Sequence, residues 1–214
     1  MAPSFATLRQ FASTPRRSRV KTVSPPDQCA LCSLGLPPQH RHLLEMETRA
    51  IACACDACAM LFQRADAGRF KLIPRDVRSL PDFQMTDAEW EDLALPIEMA
   101  FFFIGTPEKK IAALYPSPAG ATESRLPLTA WETLVAVNPP LAALAPDVEA
   151  LLVNRTRGAR DTFIAPMDVC YELVGTLRLH WRGLHGGEEV WEKIDDFFAR
   201  LKERGTPARR SPHA

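Results

Sequence analysis

Residues 29–32 read Cys-Ala-Leu-Cys, and residues 53–58 read Cys-Ala-Cys-Asp-Ala-Cys. Each stretch contains a C-x2-C pair, Cys29 with Cys32 and Cys55 with Cys58, and 22 residues lie between the two pairs. Two such pairs at about this separation are typical of a zinc site, because four thiolates complete a tetrahedral shell around one ion. The sequence therefore predicts that these four cysteines bind one metal ion, with structural zinc favoured over iron.

Three nearby side chains are alternative ligands. Cys53 could pair with Cys55, although a single intervening residue makes a poorer chelating turn. His40 and His42 could each replace a cysteine, although a histidine beside such a cluster is more often a surface residue or a neighbour of the ligands. Whether Cys53 or His42 replaces a ligand stays open from the sequence. Because four thiolates leave no open coordination position, the predicted site is structural rather than catalytic.

The chain around the cysteines predicts a treble-clef-like module. Residues 42–47 and 49–53 have the character of two short strands that form a hairpin. Residues 59–64 favour a helix, so we expect the second cysteine pair in the first turn of that helix, where the helix dipole stabilises thiolates. Rubredoxins and zinc ribbons usually carry a glycine after the second cysteine of each knuckle, whereas Ala59 follows Cys58 here.

Composition is that of a globular α+β protein. Hydrophobic residues make up 46% of the chain, which is enough for a core, and nineteen prolines limit the length of each element. No apolar stretch approaches the roughly 20 residues that cross a bilayer, and the N-terminus lacks the apolar segment of a secretory signal. We therefore expect a cytoplasmic location, where clustered cysteines bind metal rather than form disulfides.

Basic charge is concentrated at the two ends of the chain. Residues 1–26 carry a net charge of +5 and residues 200–214 a net charge of +4, although the whole chain is neutral. The intervening part is therefore acidic, which argues against a nucleic-acid groove there. We expect disordered tails at residues 1–26 and 205–214, a zinc-binding module at residues 27–66 and an α+β domain at residues 67–204.

The α+β domain is expected to contain antiparallel hairpins followed by C-terminal helices. Apolar runs predict strands at residues 69–74, 97–104, 110–115, 148–154 and 162–165. Capping signals and helical spacing predict helices at residues 87–95, 128–137, 166–181 and 188–201. Cys170 lies on the apolar stripe of the third helix, so we expect it in the core and not at a metal.

No catalytic group of residues is evident. Residues 115–124 are predicted to form a loop rich in small residues, whose backbone amides could cradle a ligand, although a packed connection is favoured. The polar residues predicted on one helix are explained equally well as a solvated face; they are Asp168, Glu172, Arg178 and His180. The sequence therefore predicts neither catalytic nor cofactor-binding residues.

Three long segments and the cysteine pattern resemble an uncharacterised bacterial family. The segments are residues 115–124 (YPSPAGATES), residues 147–155 (DVEALLVNR) and residues 170–183, which begin CYELVG and end WRG. The resemblance covers residues 27–203. That family is encoded in operons for actinobacterial-type nickel–iron hydrogenases. The resemblance implies a non-enzymatic accessory role in maturing, assembling or attaching such a hydrogenase, by binding its subunits or maturation factors.

Two other functions stay open. The four cysteines could hold iron, as in a rubredoxin-like electron carrier, although the missing glycines count against this. Alternatively, the protein could be an enzyme with a pocket at residues 116–124.

Overall fold

The structure is a computed structural model that describes residues 27–63, 68–106, 110–125, 128–183 and 186–208. The predicted disordered segment at residues 1–26 lies outside the described residues. Helices and two β-sheets are both present, so the predicted α+β class is confirmed. Within the described ranges, none of the helices combines the length and the apolar character that crossing a membrane requires.

A small antiparallel sheet is the centre of the N-terminal module. Its strands are β1 (Arg41–Glu45), β2 (Ile51–Ala54) and β3 (Phe70–Leu72), in the order β2-β1-β3. A short helix, α1 (Asp56–Met60), directly follows β2. β1 and β2 form the predicted hairpin, and β3 pairs with β1 although it lies beyond residue 66. The sheet therefore crosses the predicted boundary at residue 66, and the division into domains stays a prediction.

A seven-stranded sheet forms the body of the molecule. Its order is β10-β4-β9-β8-β5-β6-β7, and all neighbours are antiparallel except β10 and β4. The strands are β4 (Arg78–Ser79), β5 (Met99–Gly105), β6 (Lys110–Ser117), β7 (Gly120–Arg125), β8 (Glu149–Asn154), β9 (Asp161–Pro166) and β10 (Thr206–Pro207). The hairpins predicted for residues 97–115 and 148–165 are both present, as β5–β6 and β8–β9.

Helices cover both faces of the large sheet. They are α2 (Asp87–Glu91), α3 (Leu128–Val137), α4 (Met167–His180) and α5 (Glu188–Arg204). Because side chains alternate along a strand, Phe101 and Phe103 pack with α4 and α5, whereas Phe102 packs on the opposite face with Trp90 and Trp131. Two apolar layers therefore enclose the sheet, and Cys170 is fully buried in one of them, as expected.

The prediction of a loop at residues 115–124 is wrong. These residues complete β6 and form most of β7, with Tyr115 opposite Thr122 and Pro116 opposite Ala121. Ser117 closes the turn, since its hydroxyl donates to the carbonyl of Gly120 at 2.8 Å. β6 pairs with β5 only as far as Leu114. Pro116, which has no N–H to donate, therefore lies where β6 has no hydrogen bonds to make with β5.

The C-terminal end also differs from the prediction of a disordered tail from residue 205. The N–H of Thr206 donates to the carbonyl of Val77 at 3.0 Å, and the N–H of Ala208 donates to Ser79 at 2.9 Å. This edge strand is only two residues long and ends in proline, so it has no alternating pattern that the sequence could reveal. Residues 209–214 of the predicted tail lie outside the described residues.

A fully buried carboxylate, Asp147, joins the N-terminal module to the body. Arg49, from the β1–β2 turn, donates to its Oδ1 at 2.8 Å, and Lys71, from β3, donates to its Oδ2 at 3.0 Å. Thr106, at the end of β5, donates to both carboxylate oxygens. Burial acts to raise the pKa of Asp147, but the hydrogen bonds from Thr106 and Lys71 outweigh it and lower the pKa.

Candidate metal centre

Two chain segments bring the four predicted ligands together. The first is a tight knuckle in which the N–H of Cys29 donates to Leu34 and the N–H of Ser33 donates back to Cys29. The second is the start of α1, where Cys55 is the N-cap and its Sγ accepts the N–H of Cys58 at 3.4 Å. The predicted position of the second pair, at the first turn of a helix, is therefore confirmed. That helix ends at Met60, earlier than the predicted residue 64.

The four sulfur atoms have the spacing of a tetrahedral thiolate site. The Sγ atoms of Cys29, Cys32, Cys55 and Cys58 all lie within 4.8 Å of one another. The Cys32 and Cys55 sulfurs are 3.7 Å apart, and two sulfurs bound at about 2.3 Å to one tetrahedral zinc ion are separated by about 3.8 Å. All four cysteines are free rather than disulfide-bonded. The cluster could therefore bind a metal ion, and its assignment to zinc stays a prediction.

The electrostatics of the cluster favour a bound cation. Burial acts to raise the pKa of Cys29, but backbone N–H groups of Cys55, Leu31 and Cys32 lower it to about 6. Conversely, hydrogen bonds with the Cys55 and Cys32 thiols raise the pKa of Cys58 to about 12. Four thiolates this close repel one another, so ionising all of them needs a positive ion in their midst.

The four-cysteine cluster lies in a small apolar core. Cys29 and Cys55 are buried together with Leu36, Leu43 and Ala59, whereas Cys32 is exposed. A core this small stabilises a folded module weakly, and structural metal ions commonly supply what is missing. A metal ion here would tie the knuckle to α1.

The alternative ligands form a second group of their own. His40, His42 and Cys53 also have one potential ligand atom each within 4.8 Å of the others. His42 lies directly opposite Cys53 in the β1–β2 ladder. From the sequence, these residues were predicted only as alternative ligands in the four-cysteine cluster. Two-residue alternation, together with the hairpin register, is the signal that could have grouped them.

The polar residues of α4 do not form a common cluster. Asp168 Oδ2 lies 2.6 Å from His42 Nδ1, so Asp168 contacts the N-terminal module rather than the other polar residues of α4. Glu172 accepts from Arg200, and His180 pairs with Glu189. The last two pairs are exposed, as expected for a solvated face.

One family profile matches this chain, that of a family of unknown function (DUF5947), over residues 28–205. The matched range begins just before the cysteine knuckle and ends just before β10, so it includes the small sheet, the other six strands of the large sheet and the four-cysteine cluster. No match was found among curated proteins or among solved structures. The chain therefore belongs to the family of unknown function DUF5947.

Proposed function

We propose that the protein is a non-enzymatic accessory protein whose N-terminal module docks on another protein. The observation that carries this proposal is the exposure of apolar side chains around the four-cysteine cluster. Among the residues that the structure describes, six large hydrophobic side chains are exposed, and four of them lie in this module: Leu31, Leu34, Met60 and Leu61.

The position of these side chains suits a docking surface. Leu31 and Leu34 flank Cys32 in the knuckle, and Met60 and Leu61 follow Cys58 at the end of α1. The cysteines of both segments meet at one cluster, so a bound metal ion would hold both apolar segments in fixed positions. Exposed apolar groups supported by a rigid element are typical of protein–protein contacts.

The proposed partner is a component of nickel–iron hydrogenase maturation or assembly. This part of the proposal rests on the resemblance of residues 115–124, 147–155 and 170–183 to proteins encoded in such operons. A structural zinc ion, bound by Cys29, Cys32, Cys55 and Cys58, is the cofactor that we propose for the module. Four thiolates fill its coordination shell and give the metal a folding role.

Affinity purification of the tagged full chain from a native host tests this function. We expect hydrogenase subunits or maturation proteins to be recovered with the wild-type chain. The Leu61→Ser variant should lose them, because Leu61 is 73% exposed in the proposed docking surface. The Leu179→Ser variant is the matched control, since Leu179 is 71% exposed on α4 outside the module.

Each result of the purification bears on a separate part of the proposal. Recovery of no hydrogenase-related protein by the wild type would contradict the proposed partner. Equal recovery by both leucine variants would contradict the docking surface. Metal analysis and the visible spectrum of the same sample distinguish zinc from iron, because a tetrathiolate iron site is coloured and a zinc site is not.

A further inference from the structure

We propose that His40, His42 and Cys53 form a second metal site, which binds a divalent late transition-metal ion such as Zn²⁺ and leaves one coordination position open. This site goes beyond the proposed accessory function. Its ligands are separate from the four cysteines of the first cluster, so both sites can be filled in one chain.

The β1–β2 hairpin places the three side chains on one face. His42 and Cys53 are direct cross-strand partners, and side chains of such partners point to the same side of the sheet. His40 precedes His42 by two residues, and its Nε2 lies 3.2 Å from the Nε2 of His42. The hairpin register therefore aligns two imidazoles and one thiol.

The hydrogen-bond partners of the two rings leave a lone pair on each Nε2 atom. His40 Nδ1 lies 2.9 Å from the carbonyl oxygen of Pro37, and His42 Nδ1 lies 2.6 Å from Asp168 Oδ2. A carbonyl and a carboxylate accept hydrogen bonds, so we assign the ring hydrogen to Nδ1 in both histidines. With no proton on either Nε2, the rings direct lone pairs at each other across 3.2 Å, an arrangement that either a shared proton or a metal ion between them would relieve.

The distances fit a tetrahedral metal ion. Two imidazole nitrogens bound at about 2.0–2.1 Å to one zinc ion are about 3.3 Å apart, and a thiolate sulfur lies about 3.6 Å from each nitrogen. The two Nε2 atoms are 3.2 Å apart, and the Cys53 sulfur lies within 4.8 Å of one ring nitrogen of each histidine.

The surroundings are those of a metal-binding histidine pair. Ligating histidines usually donate their second ring N–H to a carboxylate or a backbone carbonyl, which fixes the ring orientation. Asp168 has this role for His42, and Pro37 has it for His40. Asp168 lies in the first turn of α4 in the body, so the proposed site also links the module to the body.

A cleft lies beside the two proposed histidine ligands. It has a volume of about 750 Å³, and His40, His42, Asp168 and Arg75 are among its lining residues. With three protein ligands, water or an external ligand would fill the fourth position of a tetrahedral zinc ion. Imidazole and thiolate donors together favour zinc and its late transition-metal neighbours over magnesium or calcium.

Metal stoichiometry of the full chain tests the site. After incubation with excess Zn²⁺ and removal of unbound metal, we expect about two zinc ions per wild-type chain. The His42→Ala and Cys53→Ser variants should each retain about one. His180→Ala is the matched control, because His180 is a partly exposed histidine on α4 paired with Glu189, and it should retain two.

A second variant tests the orienting role of Asp168 while keeping the ligands. We expect Asp168→Asn to weaken zinc binding at the second site by about 10–100-fold in a chelator competition, because the partner that orients His42 loses its charge. The tightly held zinc of the first site should be unchanged in that variant, which separates this effect from general unfolding.

The proposal is overturned if the wild-type chain binds one zinc ion under excess metal, since a shared proton would then lie between the rings. It is equally overturned if His42→Ala leaves the zinc content at two. Loss of metal in Cys53→Ser but not in His42→Ala would assign Cys53 to the first cluster instead. If His42→Ala fails to fold, His40→Ala carries the same expected loss of one zinc ion.

Discussion

The N-terminal module and the seven-stranded body are stabilised in different ways. The body buries three phenylalanines of one strand, Phe101, Phe102 and Phe103, between two layers of helices. The module has a three-stranded sheet, one five-residue helix and a core in which cysteines are prominent members. This contrast indicates that apolar burial suffices for the body, whereas the module depends on the chemistry of its side chains.

Loss of a predicted metal ligand should have the largest effect and should be confined to the module. The Cys55→Ser variant removes one thiolate but leaves a serine that can still cap α1. We therefore expect loss of the metal ion, and with it unfolding of the knuckle and β1–β3. Structural zinc contributes about 10–16 kcal/mol of binding free energy in small zinc modules, which is more than such a core supplies. Hydrogen exchange should show β1 exposed and β8 still protected.

Cys170→Ala is the matched control for that experiment, because Cys170 is a buried cysteine of the body core. We expect its metal content to equal that of the wild type. Retention of metal and of β1 protection by Cys55→Ser would contradict the ligand assignment.

A substitution in the core of the large sheet should destabilise the body rather than the module. Phe102 is almost fully buried and packs edge-on against Trp90, with ring centroids 6.4 Å apart. The Phe102→Ala variant should reduce the free energy of unfolding of the body by about 3–5 kcal/mol, as expected for a large cavity in a packed core. Chemical denaturation measures this loss.

Metal content separates the two regions in the same variant. Under native conditions Phe102→Ala should keep its full metal content, because none of the proposed metal ligands belongs to the core cluster around Phe102. Release of metal in step with unfolding of the body at low denaturant would show that the two regions unfold as one unit.

The sequence predicted the elements that carry local signals. The apolar run of β5, the capping box at Thr86 and the spacing of the C-x2-C pairs each lie within a short stretch, and the structure contains the corresponding strand, helix start and cysteine cluster. Such signals depend on neighbouring residues alone. The α+β class followed from them.

Features that depend on distant residues were not predictable in this way. His42 and Asp168 are 126 residues apart, so no local pattern joins them. The small residues at positions 115–124 suggested a loop, because no local pattern shows that β6 continues past its pairing with β5 and pairs there with β7. The group of His40, His42 and Cys53 was missed for a related reason, because only the register of the β1–β2 hairpin shows that His42 lies opposite Cys53.

Asp147 tests how strongly the two regions are coupled, with a smaller expected effect. Its carboxylate is fully buried and forms ion pairs with Arg49 and Lys71 of the module. The Asp147→Asn variant keeps the shape of the side chain but leaves those two cations without a negative partner. Breaking a buried ion pair costs about 3–5 kcal/mol. Because Arg49 and Lys71 retain some solvent contact, we expect the free energy of unfolding to fall by about 3 kcal/mol at pH 7.

The pH dependence of this loss identifies its cause. The pKa of Asp147 is lower in the folded protein than its ordinary value, because hydrogen bonds from Thr106 and Lys71 outweigh burial. Its contribution to stability is therefore fully present above the unfolded value of about 3.9 and is lost as the pH falls through the folded value. The difference in unfolding free energy between the wild type and Asp147→Asn should accordingly be constant from pH 7 to about 5 and shrink below about pH 4. A difference that stays constant through this acid range would mean that Asp147 acts by its shape and neutral hydrogen bonds. The module would then be held to the body chiefly by the apolar contact of Leu44, Ile73 and Val148.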